Sequence, residues 1–359
     1  MVHFVAYARP RFRALRPRRR GRVGGRGVIC VIRAMLCGIA FVIPRRALHS
    51  QTPTKLDLGG AVQVGGESER YLRALQLAGG AKATAWSIRP NYGTDESGTF
   101  LNSEHPWAAR FGKGDSTSAV HAGAFHLRLL RPSARLIFNS SFPLSTADGP
   151  TWAGRGVTGE LQYGMQMHFG PVHAQIAPLL FLSQNAPFGL APNGETGTGK
   201  FRDARFPDNI DAPQRFGSGA YGRLDTGNSS LAIALPGIVI GVSSAAQSWG
   251  PAREYPLILS GSSGGFPHAF AGTKQPLNLF LFSLRARLIA GTISQSAYSP
   301  VDTGESKRWA SAAIITIIPR GLRGLEFGLT RFVEAASTAT IPTSAQIRRV
   351  FSGESGAAG

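Results

Sequence analysis

The chain has 359 residues, of which only 16% are charged, and it carries 45 glycines and 23 prolines, a mixture that favours many short strands joined by turns. The formal charge of +19 is local: residues 1–50 hold 12 arginines and no acid, which leaves 27 basic against 20 acidic residues for the rest. An arginine run without interleaved aromatics or a fold motif does not make a nucleic-acid reader, so DNA and RNA are excluded as expected partners.

In chain order, residues 1–50 come first. An apolar stretch from Val28 to Ile43, interrupted by Arg33 and closed by Pro44, falls short of the roughly 20 residues a membrane-spanning helix needs. It reads as an export signal, with Ser50 as a candidate cleavage residue, although Arg45 and Arg46 stand where a signal is usually neutral and the true start is expected near Met35. Both cysteines, Cys30 and Cys37, lie inside this segment. The exported part is thus expected to carry neither a disulfide nor a cysteine nucleophile.

Residues 51–113 form the next segment. Between Glu67 and Gly79 the spacing of Tyr71, Leu72, Leu75 and Gln76 predicts one short helix stopped by the glycine.

From 114 to 335 the period changes to two. In residues 157–169, Val157, Leu161, Tyr163, Met165, Met167 and Phe169 share one face, and Thr158, Glu160, Gln162, Gln166 and His168 the other. A turn at Gly170 and Pro171 sets Phe169 against Val172, Met167 against Ala174 and Met165 against Ile176, so the apolar faces agree across the hairpin. A turn at Pro236 and Gly237 passes the same test with Leu235 and Ile238, Ile233 and Ile240, and Leu231 and Val242. Further turns are expected near 131–134, at 290–291, where Gln295 would meet Ala286 in a mismatch, and at 319–324. Long connections near 143–156, 185–228, 247–276 and 299–308 alternate with these tight ones. Residues 336–359 read as an irregular tail.

Strands of about ten residues with one apolar face, joined by alternately short and long connections, predict an all-β, antiparallel outer-membrane β-barrel. Lipid leaves backbone polar groups unsatisfied, so a spanning sheet must close on itself. A soluble β-sandwich would also alternate and stands as the other reading of the pattern.

The residues that would carry chemistry are few. The run Gly194–Lys200, GETGTGK, imitates a phosphate loop, but Phe201 replaces the magnesium-binding hydroxyl and no apolar strand leads in. Histidines such as His121, His126, His168 and His173 have no metal spacing on a helix and are expected to line a polar interior; no metal or cofactor is expected. Asp203, Asp208, Asp211 and Asp225 could include a glycosidase pair only if two of them approach, which the sequence does not show.

The densest polar and aromatic run is 201–225, and it supplies a candidate polysaccharide site of Arg205, Phe206, Asp208, Asn209, Asp211, Gln214, Arg215, Phe216, Tyr221 and Arg223. Planar rings stack on sugars, while Arg, Asp and Asn bind hydroxyls and carboxylates. A loop folded on its own ion pairs would need much the same residues, so both readings stand. Trp249 and His268 join the candidate set from the later stretches SWGP and GFPH.

Several segments, in order, carry a family likeness: ERYLRALQLAG with WSIRP, GPTWAGRGVTGEL, GPVHAQIAPLLFLSQNAPF, RFPDNIDAPQRFGSGAYGRLD, SWGP with PLILSGSSGGFPHAFAGT, and QSAYSPV. Over most of residues 67–335 the chain resembles the Wzi-type capsule assembly proteins. The resemblance implies an eighteen-stranded outer-membrane barrel whose N-terminal helices plug its periplasmic end, and a lectin without turnover that attaches capsular or extracellular polysaccharide to the cell surface. It implies that 51–113 belongs to the plug and that outer-membrane lipid surrounds the strands. Only about ten strands are counted between 120 and 333, and the ending FSGESGAAG has no final amphipathic strand, so the expectation is a barrel shortened at its C-terminus. A porin or transporter with Arg285 and Arg287 in its lumen, and a glycan hydrolase, are the alternatives carried forward.

Overall fold

The computed structural model describes residues 54–55, 64, 67–77, 87–90, 92, 100–101, 119–130, 132–143, 148–203, 205, 213–250, 252, 258–259, 264–298, 307–322, 325–336 and 343–351. Between Ala119 and Ala336 the alternating residues form one antiparallel, up-and-down succession of strands. β1 is Ala119–Ala122. β2 runs in two pieces, Phe125–Leu129 and Ser133–Asn139. So do β3 (Gly156–Gln162 and Met165–Phe169), β4 (Val172–Ile176 and Leu179–Ser183) and β5 (Tyr221–Asp225 and Ser230–Ala234). β6 is Ile238–Ser243, and β7 is His268–Thr273 extended by Leu277–Asn278. β8 (Phe282–Ser294), β9 (Lys307–Pro319) and β10 (Phe327–Ala336) follow.

Each strand pairs with its neighbours in sequence, from β1–β2 to β9–β10. The two pieces of β2 to β5 belong to separate ladders, because all four strands are interrupted at one level. The interruptions fall at Pro132, Gly164, Pro178 and Gly227. Proline cannot donate to a ladder, and a side chain on Gly164 would place its Cβ 2.0 Å from the Ile176 carbonyl oxygen. A line of such residues across four strands splits the ladders at that level.

The turns at 170–171 and 236–237 fall as expected, with Phe169 paired to Val172, Met165 to Ile176 and Ile233 to Ile240. Two others do not. The 131–134 segment is a kink within β2: the Leu130 N–H donates to the Gly164 carbonyl oxygen at 2.9 Å and the ladder resumes at Ser133. The hairpin turn lies instead at Gly123–Ala124. Likewise Ala290 and Gly291 lie inside β8, where Gly291 allows the close approach of Pro267, whose carbonyl oxygen would be 2.2 Å from a Cβ. The preceding turn closes at 279–281, with the Leu279 N–H donating to Phe282 at 2.8 Å. Ala286 therefore meets Ile315 rather than Gln295, which removes the mismatch. Corrected in this way, short turns (123–124, 170–171, 235–237, 279–281, 320–326) alternate strictly with long connections (140–155, 184–220, 244–267, 295–306).

The two parities of the strands differ in what they expose. Leu136, Leu161, Met165, Ile176, Leu182, Leu224, Ile233 and Ile240 are exposed, Ile176 by 49% and Leu224 by 71%. The other parity buries polar groups: Thr158, Ser183 and Thr316 are 0% exposed, and Gln162, Gln175, Asp225, Arg285 and Arg287 are also buried. Soluble domains seldom leave more than a few hundred Å² of contiguous apolar surface uncovered; here an apolar row of one parity recurs along most of the strands.

Elements from the first third of the chain pack against the face that carries the buried residues. Helix α1 (Glu67–Leu77) has the expected start, and Gly79 lies outside the described residues. Ile88–Arg89 pairs with Ser248–Trp249 from the connection after β6. Ile88, Tyr92 and Trp249 join Val239, Phe270, Ile289 and Ile314 in one buried cluster. The C-terminal tail, expected to be irregular, contains helix α2 (Ser344–Arg348), started by a capping box in which Thr343 and Gln346 bond reciprocally. It packs against β9.

Candidate functional site

The long connections gather the aromatic residues. Trp152 precedes β3, Phe201 and Phe216 lie in the 184–220 connection, Tyr221 opens β5, and Tyr298 follows β8. Phe216 stacks on Tyr221 at 4.7 Å between ring centres and meets Trp152 edge-on at 4.9 Å and Tyr298 at 5.9 Å. Tyr298 meets Phe201 at 5.7 Å and Tyr221 meets Phe181 at 5.8 Å. Trp152, Phe216, Tyr221 and Tyr298 are half-buried, so their rings keep accessible surface.

Asn185 holds this cluster in place. Fully buried and at φ 49°, a left-handed backbone that asparagine tolerates better than most residues, it accepts from Trp152 Nε1 at 3.0 Å and donates to the carbonyls of Phe216 and Gly219, each at 2.8 Å. Arg215 donates to the carbonyl of Asn185 and, at 2.8 Å, to that of Ser218. Burial lowers the Arg215 pKa from its ordinary value, yet a guanidinium stays charged in proteins, and the two carbonyls solvate it. Replacing Asn185 by alanine removes three side-chain hydrogen bonds and the residue's tolerance of the left-handed backbone, and is expected to cost about 2–4 kcal/mol locally. Limited proteolysis should then cut within 186–203, a segment expected to resist in the parent.

The proposed site residues divide. Phe216 and Tyr221 belong to the aromatic cluster. Gln214 folds the connection on itself, donating to the carbonyls of Ala191 (3.0 Å) and Arg202 (2.9 Å) and accepting from the Ala191 N–H at 2.7 Å. Arg215 is likewise spent on carbonyls. Arg205, with its side chain 73% exposed, pairs with Asp203 at 3.1 Å and holds that carboxyl below the usual range. Arg223, half exposed, pairs with Asp225. Phe206, Asp208, Asn209 and Asp211 lie outside the described residues. Trp249 and His268 are only 1% and 4% exposed; Trp249 lies in the buried cluster and His268 against Phe266 and Phe270, so neither offers a ring face to a ligand. The sequence reading missed Trp152, Asn185, Phe201 and Tyr298. Three of them sat in view within GPTWAGRG, SQNAPF and QSAYSPV, but nothing local ties those segments together.

A second polar group flanks the same connections. Arg135 on β2 pairs with Asp148 and with Glu160 on β3, both at 2.7 Å, and Thr151 donates to Glu160 at 2.6 Å. The GETGTGK run forms a loop ending in a 3₁₀ turn, Gly199–Phe201, with the Lys200 ammonium 5.1 Å from the centre of the Phe201 ring. Among the described residues no helix follows to receive a phosphate.

Arg287 of β8 meets the segment around Pro90 and Tyr92. Arg287 donates to the Pro90 carbonyl, and its guanidinium lies 4.8 Å from the centre of the Tyr92 ring. Tyr92 stacks on Phe270 at 4.1 Å, donates to Ser243 at 2.8 Å and accepts from Gln247 at 2.8 Å. Burial raises the Tyr92 pKa, so this hydroxyl stays neutral. Arg89 pairs with Glu69 of α1 at 2.6 Å and donates to Ser248 at 2.7 Å. Among the described residues no helix is long and apolar enough to cross a membrane, which leaves β-strand crossing untouched. Comparison with family models, with curated proteins and with solved structures finds no match for this chain.

Proposed function

We propose that the chain is a β-barrel protein of the Gram-negative outer membrane, related to the Wzi-type capsule assembly proteins, that retains capsular or extracellular polysaccharide by binding alone. The observation that carries this reading is the exposed apolar parity of the strands set against a buried parity that holds many polar groups, Thr158, Gln162, Gln175, Asp225, Arg285 and Arg287 among them, an arrangement that suits hydrocarbon outside and a wet interior. Strict alternation of short turns and long connections supports the same orientation, with the long ones outside the cell. The edges at β1 and β10 have no partner strand among the described residues, and in lipid they must be paired.

At the long-connection end, Trp152, Phe216, Tyr221 and Tyr298 supply half-exposed rings for stacking, and Arg205 and Arg223 supply cations for an acidic glycan. A porin would need an open lumen, whereas Arg287 is occupied by Pro90 and Tyr92. Deleting the gene is expected to move polysaccharide from the cell surface to the medium; unchanged retention overturns the proposal. In purified protein, Phe216→Ala removes the ring at the centre of the cluster and is expected to weaken glycan binding several-fold, on the order of 1 kcal/mol. Incubation with the native polysaccharide should leave its chain length unchanged.

A further inference from the structure

The register of the first four strands sets one histidine per strand into a single row. His121 on β1 is paired with His126 on β2, His126 with His168 on β3, and His168 with His173 on β4. The row continues into Ala232 on β5. His168 and His173 take the parity opposite Met167, Phe169 and Ile176, the one that carries the buried Gln162 and Gln175, whereas His126 is exposed. His168 and His173 are half-buried, one residue from the tight 170–171 turn on either side, and their ring centres are 4.5 Å apart with the planes inclined at 69°.

Two imidazoles at that separation, on strands locked by a short hairpin, can share one ion with little rearrangement, and the loss of rotamer freedom is small because both are already partly packed. Imidazole nitrogen suits late first-row divalent ions, and the absence of thiols from the strands leaves nitrogen as the ligand. Among the described residues no group of three or more His, Cys, Asp and Glu side chains is set to hold a metal ion, so the protein offers two ligands and water completes the coordination. His126 is the next imidazole in the row.

We propose that His168 and His173 form a two-imidazole site for a late first-row divalent cation, with copper(II), nickel(II) and zinc(II) as the fitting chemistry. The ion would bridge β3 and β4 beside their turn. The inference stands on strand register and ring geometry and does not depend on the polysaccharide reading.

The test uses the full chain purified in detergent without a histidine tag. Titration with Cu²⁺ is followed by calorimetry and by electron paramagnetic resonance, which reports nitrogen ligands directly. The expected result is about one ion per chain, with two nitrogen ligands in the spectrum. His168→Gln or His173→Gln should each weaken binding by about tenfold or more, and the double variant should remove the nitrogen signature. Glutamine keeps polarity and length, and unchanged heat-modifiable gel mobility shows that the variants still fold. Binding should fall as pH drops from about 7.5 to about 5.5, because protons compete for imidazole near its ordinary pKa of about 6.5. No binding by the parent, or the same affinity and spectrum in the folded double variant, overturns the proposal.

Discussion

On the proposed membrane reading, replacing Ile176 by arginine is expected to cost about 2–4 kcal/mol of folding stability in lipid, what a cation costs on the hydrocarbon face of a barrel. Ile176 is 49% exposed and pairs with Met165, itself exposed, on the neighbouring strand. If that face met water, an exposed isoleucine could become arginine within roughly 0.5 kcal/mol. The two environments thus make opposite forecasts for one substitution. Heat-modifiable gel mobility after refolding into lipid vesicles measures the folded fraction, which should fall sharply for Ile176→Arg. An unchanged folded fraction would mean that the apolar parity does not face hydrocarbon, and the membrane assignment would fall with it.

The second large effect concerns the N-terminal elements on the face that carries the buried residues. Glu69 and Arg89 are both almost wholly buried and 2.6 Å apart, and Arg73 lies 3.9 Å from the same carboxylate. Glu69→Ala leaves the Arg89 guanidinium without its counter-charge, and breaking a buried pair in this way costs about 3–5 kcal/mol. Because Glu69 is on α1 and Arg89 is on the segment paired with Ser248–Trp249, the pair ties the helix to the strand that sits against the sheet. The expected outcome is a steady ion current in planar bilayers from Glu69→Ala and none from the parent. Glu69→Gln keeps a hydrogen-bond acceptor and should have a smaller effect. Silence from Glu69→Ala would show that these elements do not block a pore, or that other contacts hold them.

Much of this architecture was legible one strand at a time. The polarity of residues 157–169 defined both faces of β3, and the apolar match across 170–171 and 236–237 gave the correct register for β3–β4 and β5–β6. The helix at Glu67 was legible from its spacing. The errors share a cause. Arg131-Pro132 and Ala290-Gly291 have turn composition, but composition does not distinguish a kink or a close backbone approach from a reversal of direction. At 132 the deciding fact is the partner: the piece of β2 after the proline pairs with β3, not with the piece before it.

The site was less legible for a related reason. Gln214 and Arg215 have the chemistry of sugar ligands, and the chain uses them to fold its own 184–220 connection, because a buried carbonyl satisfies a donor as well as a hydroxyl does. Trp249 looked like a stacking platform and became part of the buried cluster. Asn185 gave no local signal at all, since its three partners come from segments 31–34 residues distant.

The sequence by itself determined which parity of each strand is apolar and the rhythm of short and long connections, because both are properties of neighbouring residues. Only the tertiary structure decided which parity is exposed, which turn-like segments reverse the chain, and which isolated side chains meet. Those outcomes depend on cross-strand pairing, and a row such as His126, His168 and His173 exists only once three separate strands have settled into register.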